Sequence, residues 1–175
     1  MWDNIAKIYV VGPVGSGKST LSRKLANDYN LVCCELDSVV YEPDPLSSSG
    51  NKKRSIADRD ARLQAVLANS RWIVEDAGRD YFEIAMQKAD SIIQLEPSIR
   101  VRKRRILFRW IKQNLHMEKC GYIPDLEMLK RMYQWTRNYD IGADGVKERL
   151  AQYASKITIV RTKSDIRRYI KKNLG

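Results

Sequence analysis

Gly12-Pro13-Val14-Gly15-Ser16-Gly17-Lys18-Ser19-Thr20 is a complete G-x-x-x-x-G-K-[ST] pattern, and each residue type in it has a use in holding phosphate. Gly12, Gly15 and Gly17 let the backbone turn tightly and present N–H groups to phosphate oxygens, with Ser16 inside the same turn. The Lys18 ammonium suits a bridge between the β- and γ-phosphates, and Ser19 offers a hydroxyl to Mg²⁺. Thr20 continues into a helix whose positive N-terminus adds to the anion site.

Three further groups carry candidate chemistry. Asp37 ends the apolar run Leu31-Val32-Cys33-Cys34-Glu35-Leu36, at the carboxyl end of a strand, where open α/β sheets place their ligands. A carboxylate there suits a Mg²⁺-bound water or a substrate hydroxyl, and its plainer reading is a solvated strand-end acid. Arg102, Arg105 and Arg109 form a stripe on one helix, able to neutralise the charge that develops on a transferring phosphoryl group; otherwise they are a solvated basic face. Arg161-Thr162-Lys163-Ser164-Asp165 opens the last helix and has two readings. It matches the [NT]-K-x-D base-reading motif of GTPases, and it occupies the turn after the fifth strand where nucleotide kinases seat adenine. No Asp-x-x-Gly follows the third strand, which favours the kinase reading and makes Arg161 and Thr162 candidate nucleotide contacts.

The elements that must position these residues follow from periodicity. Ile5 to Val11 reads as a strand leading into the phosphate loop, and Leu21, Leu25, Ala26 and Tyr29 mark one face of the helix after it. Pro43, Pro45, the serines before Gly50, and Lys52-Lys53-Arg54 predict a mobile surface loop. A helix begins near Ser55, whose spacing to Asp58 has capping-box form, with Ile56, Leu63, Val66 and Leu67 as its apolar positions. Arg71 to Asp76 and Ser91 to Leu95 read as the third and fourth strands, separated by a short helix. Ser98 caps a long helix with an apolar arc of Ile99, Ile106, Leu107, Trp110, Ile111 and Leu115. A connector around Gly121 and Pro124 joins it to a second helix carrying Leu129, Met132, Tyr133 and Thr136. Lys156 to Val160 forms the fifth strand. Alternating strands and helices predict a parallel sheet covered on both faces.

Composition sets the outer bounds. At 175 residues the chain fits one domain with inserted lobes. Its net charge of +11, from 32 basic and 21 acidic residues, favours polyanionic partners without choosing between free nucleotides and nucleic acid. No apolar run approaches the roughly 20 residues of a membrane helix. The N-terminus lacks an apolar signal core, so a cytoplasmic protein without membrane association is expected. Cys33, Cys34 and Cys120 have no metal-ligand spacing, and the adjacent pair reads as small core residues.

Taken together, the loop of Gly12 to Thr20, Leu36-Asp37, Trp72-Ile73-Val74-Glu75, Ala89-Asp90-Ser91-Ile92-Ile93, Arg105-Ile106-Leu107-Phe108-Arg109, Tyr122-x-Pro124, Trp135 and Ile159-Val160-Arg161-Thr162 resemble the adenylate-kinase-like P-loop proteins. Within these, the DNA topology modulation proteins are the most similar group. The resemblance implies a three-layer α/β nucleoside/nucleotide kinase-like fold with a five-stranded parallel sheet, an acceptor-binding excursion over residues 38–70 and a helical lid over 100–140. It implies ATP and Mg²⁺ as cofactors, with Lys18 on the transferred phosphate, Ser19 and Asp37 serving the metal, and Arg105 and Arg109 as lid arginines. Where relatives carry a glycine after the third strand's acid, this chain has Glu75-Asp76-Ala77-Gly78. The added carboxylate is expected to repel a second phosphate in the acceptor pocket. The expected activity is transfer of the γ-phosphate to a small acceptor by a monomer or homodimer. The alternatives are a nucleotide-dependent regulator that binds nucleic acid, or a GTP-binding switch.

Overall fold

Runs of β-branched and aromatic residues bounded by turn formers become strands, and the most apolar run becomes the central one. The computed structural model describes residues 5–47 and 50–174. Strand β1 (Lys7–Val11) buries Ile8, Tyr9, Val10 and Val11 completely. It lies between β5 (Trp72–Asp76) and β6 (Ser91–Leu95), with β2 (Val32–Glu35) and β7 (Ile157–Val160) at the edges. All pairings are parallel, and the sheet order is β2-β5-β1-β6-β7.

Alternation along these strands divides the core in two. Tyr9, Val11, Trp72, Val74 and Ile92 face one helical layer, which contains α3 (Ile56–Leu67), α4 (Glu83–Lys88) and α7 (Val146–Ala151). Ile8, Val10, Ile73, Ile93 and Leu95 face the other, built from α1 (Lys18–Tyr29) and α8 (Lys163–Asn173). The result is a three-layer α/β fold. Register places Val11 beside Asp76 and Gln94, Glu35 beside Glu75, and Leu95 beside Val160. The carboxyl ends of all five strands therefore reach one edge, where the phosphate loop begins.

Several local expectations are corrected. The segment expected as a mobile loop contains an antiparallel hairpin, β3 (Tyr41–Pro43) and β4 (Asn51–Lys53). Its charges hold it: Glu42 pairs with Lys52 at 3.4 Å and with Arg54, which also reaches Asp58. Asp37 lies not on a strand but in the first turn of the short helix α2 (Leu36–Val40), because β2 ends at Glu35. Cys34 is buried, which pushes its thiol up to about 11, whereas Cys33 is exposed because β2 is an edge strand. Ser55 caps α3 by accepting from the Asp58 amide, but Ile56, at the helix start, is 70% exposed.

The long basic helix α5 (Ile99–Asn114) packs against α6 (Leu126–Ile141) differently from its apolar arc. Ile106 is buried, whereas Leu107, Ile111 and Leu115 are exposed, and Arg102 takes an interior position. Burial of a guanidinium is tolerated because every face of it is used. Arg102 donates to the Pro97 carbonyl at 2.9 Å, the Thr136 carbonyl at 3.2 Å and Asp140 at 2.5 Å. Among the described residues, no helix is long and apolar enough to cross a membrane.

Candidate active site

The loop between β1 and α1 is shaped by backbone conformations that side chains oppose. Gly15 has φ +75°, and a Cβ there would lie 2.8 Å from the Arg102 carbonyl oxygen. Gly12 has φ +156°, and its Cβ would lie 2.5 Å from the Leu95 carbonyl oxygen. Gly17, also left-handed, caps α1 with no side-chain hydrogen bond, so the first amides of the helix stay available to an anion. The Ser16 hydroxyl is buried without a hydrogen-bond partner among the described residues. Lys18 Nζ rests on the Pro13 carbonyl at 3.3 Å. Such an arrangement offers donors that a polyphosphate would satisfy.

At the end of β5 stands Glu75, only 4% exposed, accepting from Ser19 Oγ at 2.9 Å. Burial pushes its carboxyl above the ordinary value. Lys18 and the Ser19 hydrogen bond pull it down, and Asp37 and Glu35 push it up again. A serine hydroxyl held by a strand-end carboxylate fits Mg²⁺ that arrives with nucleotide phosphates, since Mg²⁺ keeps waters and takes few protein ligands. Glu75 and Ser19 are the residues that would hold it, with Glu75 in the place expected of Asp37, whose side chain pairs with Arg79.

The second acid, Asp76, turns inward. It accepts from the Tyr9 hydroxyl at 3.2 Å, the Gly78 amide at 2.7 Å and the Arg79 amide, and it pairs with the Arg79 guanidinium. Asp76, expected to repel a second phosphate, is engaged with the turn that follows it and with Arg79. Arg79 also reaches Asp37, whose side chain is 72% exposed. Burial alone would lower the Arg79 pKa; Asp76 and Asp37 outweigh it and hold the pKa above the usual arginine value.

The arginine stripe splits into three fates. Arg102 pins α5 to α6. Arg105 lies over the phosphate loop, donating to the Ser16 carbonyl at 2.7 Å and the Gly15 carbonyl at 3.3 Å. Arg109 turns toward α6, with Met132 Sδ at 3.9 Å. From α6, Thr136 Oγ1 donates to the Val14 carbonyl at 3.0 Å. The lid helices are thus tied to the loop at Val14, Gly15 and Ser16. Asn51 of the hairpin donates to the Gly121 carbonyl in the lid connector, so the two excursions touch.

Beside the loop lies a cavity of about 600 Å³, lined by Glu96, Val101, Arg105, Tyr139, Lys147, Arg161 and Thr162 among others. Its size suits a nucleoside. Arg161 pairs with Glu96 at 3.4 Å. Thr162 is the N-cap of α8, and Asp165 reaches back to the Arg161 and Thr162 amides at 3.0 and 2.9 Å. The Thr162-Lys163-Ser164-Asp165 sequence is therefore a capping box, and these bonds hold the Asp165 carboxyl below its ordinary value.

Lys18, Ser19 and Arg105 meet at the loop, Arg161 and Thr162 border the adjacent cavity, and Asp37 stands near Glu75 under the hold of Arg79. Arg109 is directed away, and Thr20 is an exposed residue of α1. Sequence reasoning left Glu75, Arg79 and Thr136 without roles. The first two had a legible signal, an acid pair followed at the third position by arginine.

No family model matches the chain, and no curated protein matches it by sequence. Solved structures match it by fold. A shikimate kinase from Acinetobacter baumannii in complex with shikimate aligns with TM-score 0.56 and 17% identity over 98% of this chain and 92% of its own. A gluconokinase from Sinorhizobium meliloti 1021 gives 0.53 and 17% over 98% and 90%. Deoxyadenosine kinase from M. mycoides with bound dATP gives 0.53 and 14% over 95% and 98%. The three-layer architecture with its glycine-rich loop after the central strand is a fold that these kinases share.

Proposed function

We propose that the protein is an ATP- and Mg²⁺-dependent phosphotransferase that moves the γ-phosphate to a small hydroxylated acceptor. The observation that carries this reading is the loop itself: unfilled backbone and hydroxyl donors, one ammonium, a hydroxyl–carboxylate pair fit for Mg²⁺, and an arginine laid across it from the lid. Phosphoryl transfer asks mainly for positioning and charge neutralisation, and these groups supply both. The fold shared with sugar, shikimate and deoxynucleoside kinases supports nucleotide use and a small-molecule acceptor. In this reading residues 38–70 bear the acceptor, residues 100–140 are the lid, Arg161 and Thr162 border the base, and Asp37 faces the acceptor. Arg109 joins Arg105 at the phosphates only after lid movement. A cytoplasmic setting, where MgATP is abundant, suits this chemistry.

The test is a coupled ADP-release screen across nucleosides, monophosphates and small hydroxylated metabolites, in parallel with Lys18→Ala. ADP release that depends on acceptor and is lost in the variant is expected. Equal MgATP affinity in wild type and Lys18→Ala would refute the reading.

A second reading, closer to the DNA topology modulation resemblance, draws on α5. This helix carries seven basic residues and no acid, and Lys103 borders a groove of about 650 Å³ with Tyr133 and Arg137 of α6. Nucleotide-dependent nucleic-acid binding without acceptor phosphorylation would favour it. A GTP switch is the weakest reading, since Asp165 is committed to its cap; competition of GTP against ATP tests it.

A further inference from the structure

The acceptor side of the site contains an arginine of the kind that binds phosphate or carboxylate, yet its outward face is already occupied. Arg79 is fixed from below. Asp76 is fully buried at its side chain and saturated by the Tyr9 hydroxyl, two amides and the Arg79 guanidinium, so it cannot turn away. What remains of the guanidinium fork points to Asp37, on a different element and largely in solvent.

We infer that Asp37 is a built-in plug for Arg79, and that the acceptor site takes an uncharged hydroxylated compound and rejects phosphorylated or carboxylated ones. The word acceptor here rests on the phosphotransferase reading above; the plug does not. Several cations on neighbouring elements already have acidic partners, which supports the inference. Arg79 is shared by Asp76 and Asp37, two carboxylates on one guanidinium, so this trio is net negative. Arg23 of α1 is taken by Glu35 at 2.6 Å. On the excursion, Lys52 and Arg54 pair with Glu42, and Arg62 with Asp58 at 3.0 Å. Arg59 pairs with Asp60 at 2.8 Å and lies 4.3 Å over the Tyr81 ring. A second anion would have to displace Asp37 from Arg79 and then sit against the carboxylates left behind. A neutral polyol or nucleoside meets instead a carboxylate held in place to accept from its hydroxyl.

The experiment separates the plug from the catalysis. Inorganic phosphate is titrated by calorimetry into the full-length Lys18→Ala protein, which weakens phosphate binding at the loop, and into the same protein with Asp37→Asn added. Freeing the outward fork is expected to tighten phosphate binding about tenfold or more. The gain should disappear when Arg79→Lys is added, since lysine still neutralises Asp76 but has no second arm. Equal affinities with and without Asp37→Asn overturn the inference, as does a gain that survives Arg79→Lys. In wild type, a higher kcat/KM for a phosphate ester than for its unphosphorylated parent also overturns it. Should no acceptor support ADP release, the phosphotransferase reading fails, and the phosphate titration still decides the plug.

Discussion

Gly15→Ala tests whether the lid helix rests on the phosphate loop, and the chain contains its own control. The new Cβ would lie 2.8 Å from the Arg102 carbonyl oxygen and 3.0 Å from Ile106 Cγ1, both on α5, at a residue with φ +75°. A left-handed backbone costs a non-glycine residue about 1–2 kcal/mol. Forcing extra volume against a helix backbone adds about 1–3 kcal/mol. The total is roughly 2–5 kcal/mol, which at this chain length lowers the melting temperature by about 5–20 °C. Gly142, at the end of α6, has the same φ of +75° with nothing within 4 Å of its Cβ. Gly142→Ala should therefore cost only the backbone part. Urea unfolding of both variants isolates the contact by difference, and MgATP titration should show weaker binding for Gly15→Ala alone. Equal destabilisation by the two substitutions, or unchanged nucleotide affinity in Gly15→Ala, would refute the claim that α5 packs on the loop.

Arg102→Met should cost about 1–3 kcal/mol in urea unfolding, because two carbonyls lose a buried donor and Asp140 loses its ion-pair partner. Asp140→Ala, which leaves the buried guanidinium without its counter-charge, should cost at least as much. Thr136→Val keeps the side-chain volume but removes the hydrogen bond to Val14, so about 1 kcal/mol of stability is lost together with some nucleotide affinity, read by the same two titrations. For pH, burial raises the folded pKa of Glu75. Between the ordinary glutamate value and that raised value the folded chain binds the proton that the unfolded chain has released, so this residue's contribution to stability falls as pH rises through the window. Melting curves across that range should show a stability difference between wild type and Glu75→Gln that drifts against wild type with rising pH; a constant difference would contradict it.

The sheet and the loop are legible in the sequence because both depend on local signals: continuous apolar runs for buried parallel strands, and glycine spacing for the loop. What the sequence conceals depends on pairing between distant residues. Nothing local in Arg102 separates it from Arg105 three residues on, and only the position of α6 decides which guanidinium is interior and which lies on the loop. The hairpin is hidden for the same reason, since Glu42 gains Lys52 and Arg54 as partners only after the chain has turned. The last-helix motif misleads differently: a threonine followed three residues later by aspartate serves either base recognition or an N-cap, and the bonds of Asp165 to amides 161 and 162 decide for the cap. Cys33 reads as core because strand periodicity says nothing of whether the strand is at an edge.

The three ties between lid and loop have a consequence for how the site works. Arg105 and Thr136 donate to the carbonyl side of the loop at Ser16 and Val14, while a phosphate would take the amide side. Donors on a peptide carbonyl polarise the adjacent N–H, so lid contact and anion binding strengthen one another instead of competing. Arg105 is the exception with two uses, because it also borders the nucleoside-sized cavity, and it can leave the carbonyls for a phosphate oxygen without loosening α5, which Arg102 continues to hold. The buried arginine thus fixes the helix so that the exposed one is free to change partners. Two guanidiniums three residues apart accordingly divide the work, one structural and one at the phosphates. Replacing Arg105 with alanine should therefore weaken MgATP binding while leaving the urea midpoint close to wild type, the opposite of what Arg102→Met does to stability.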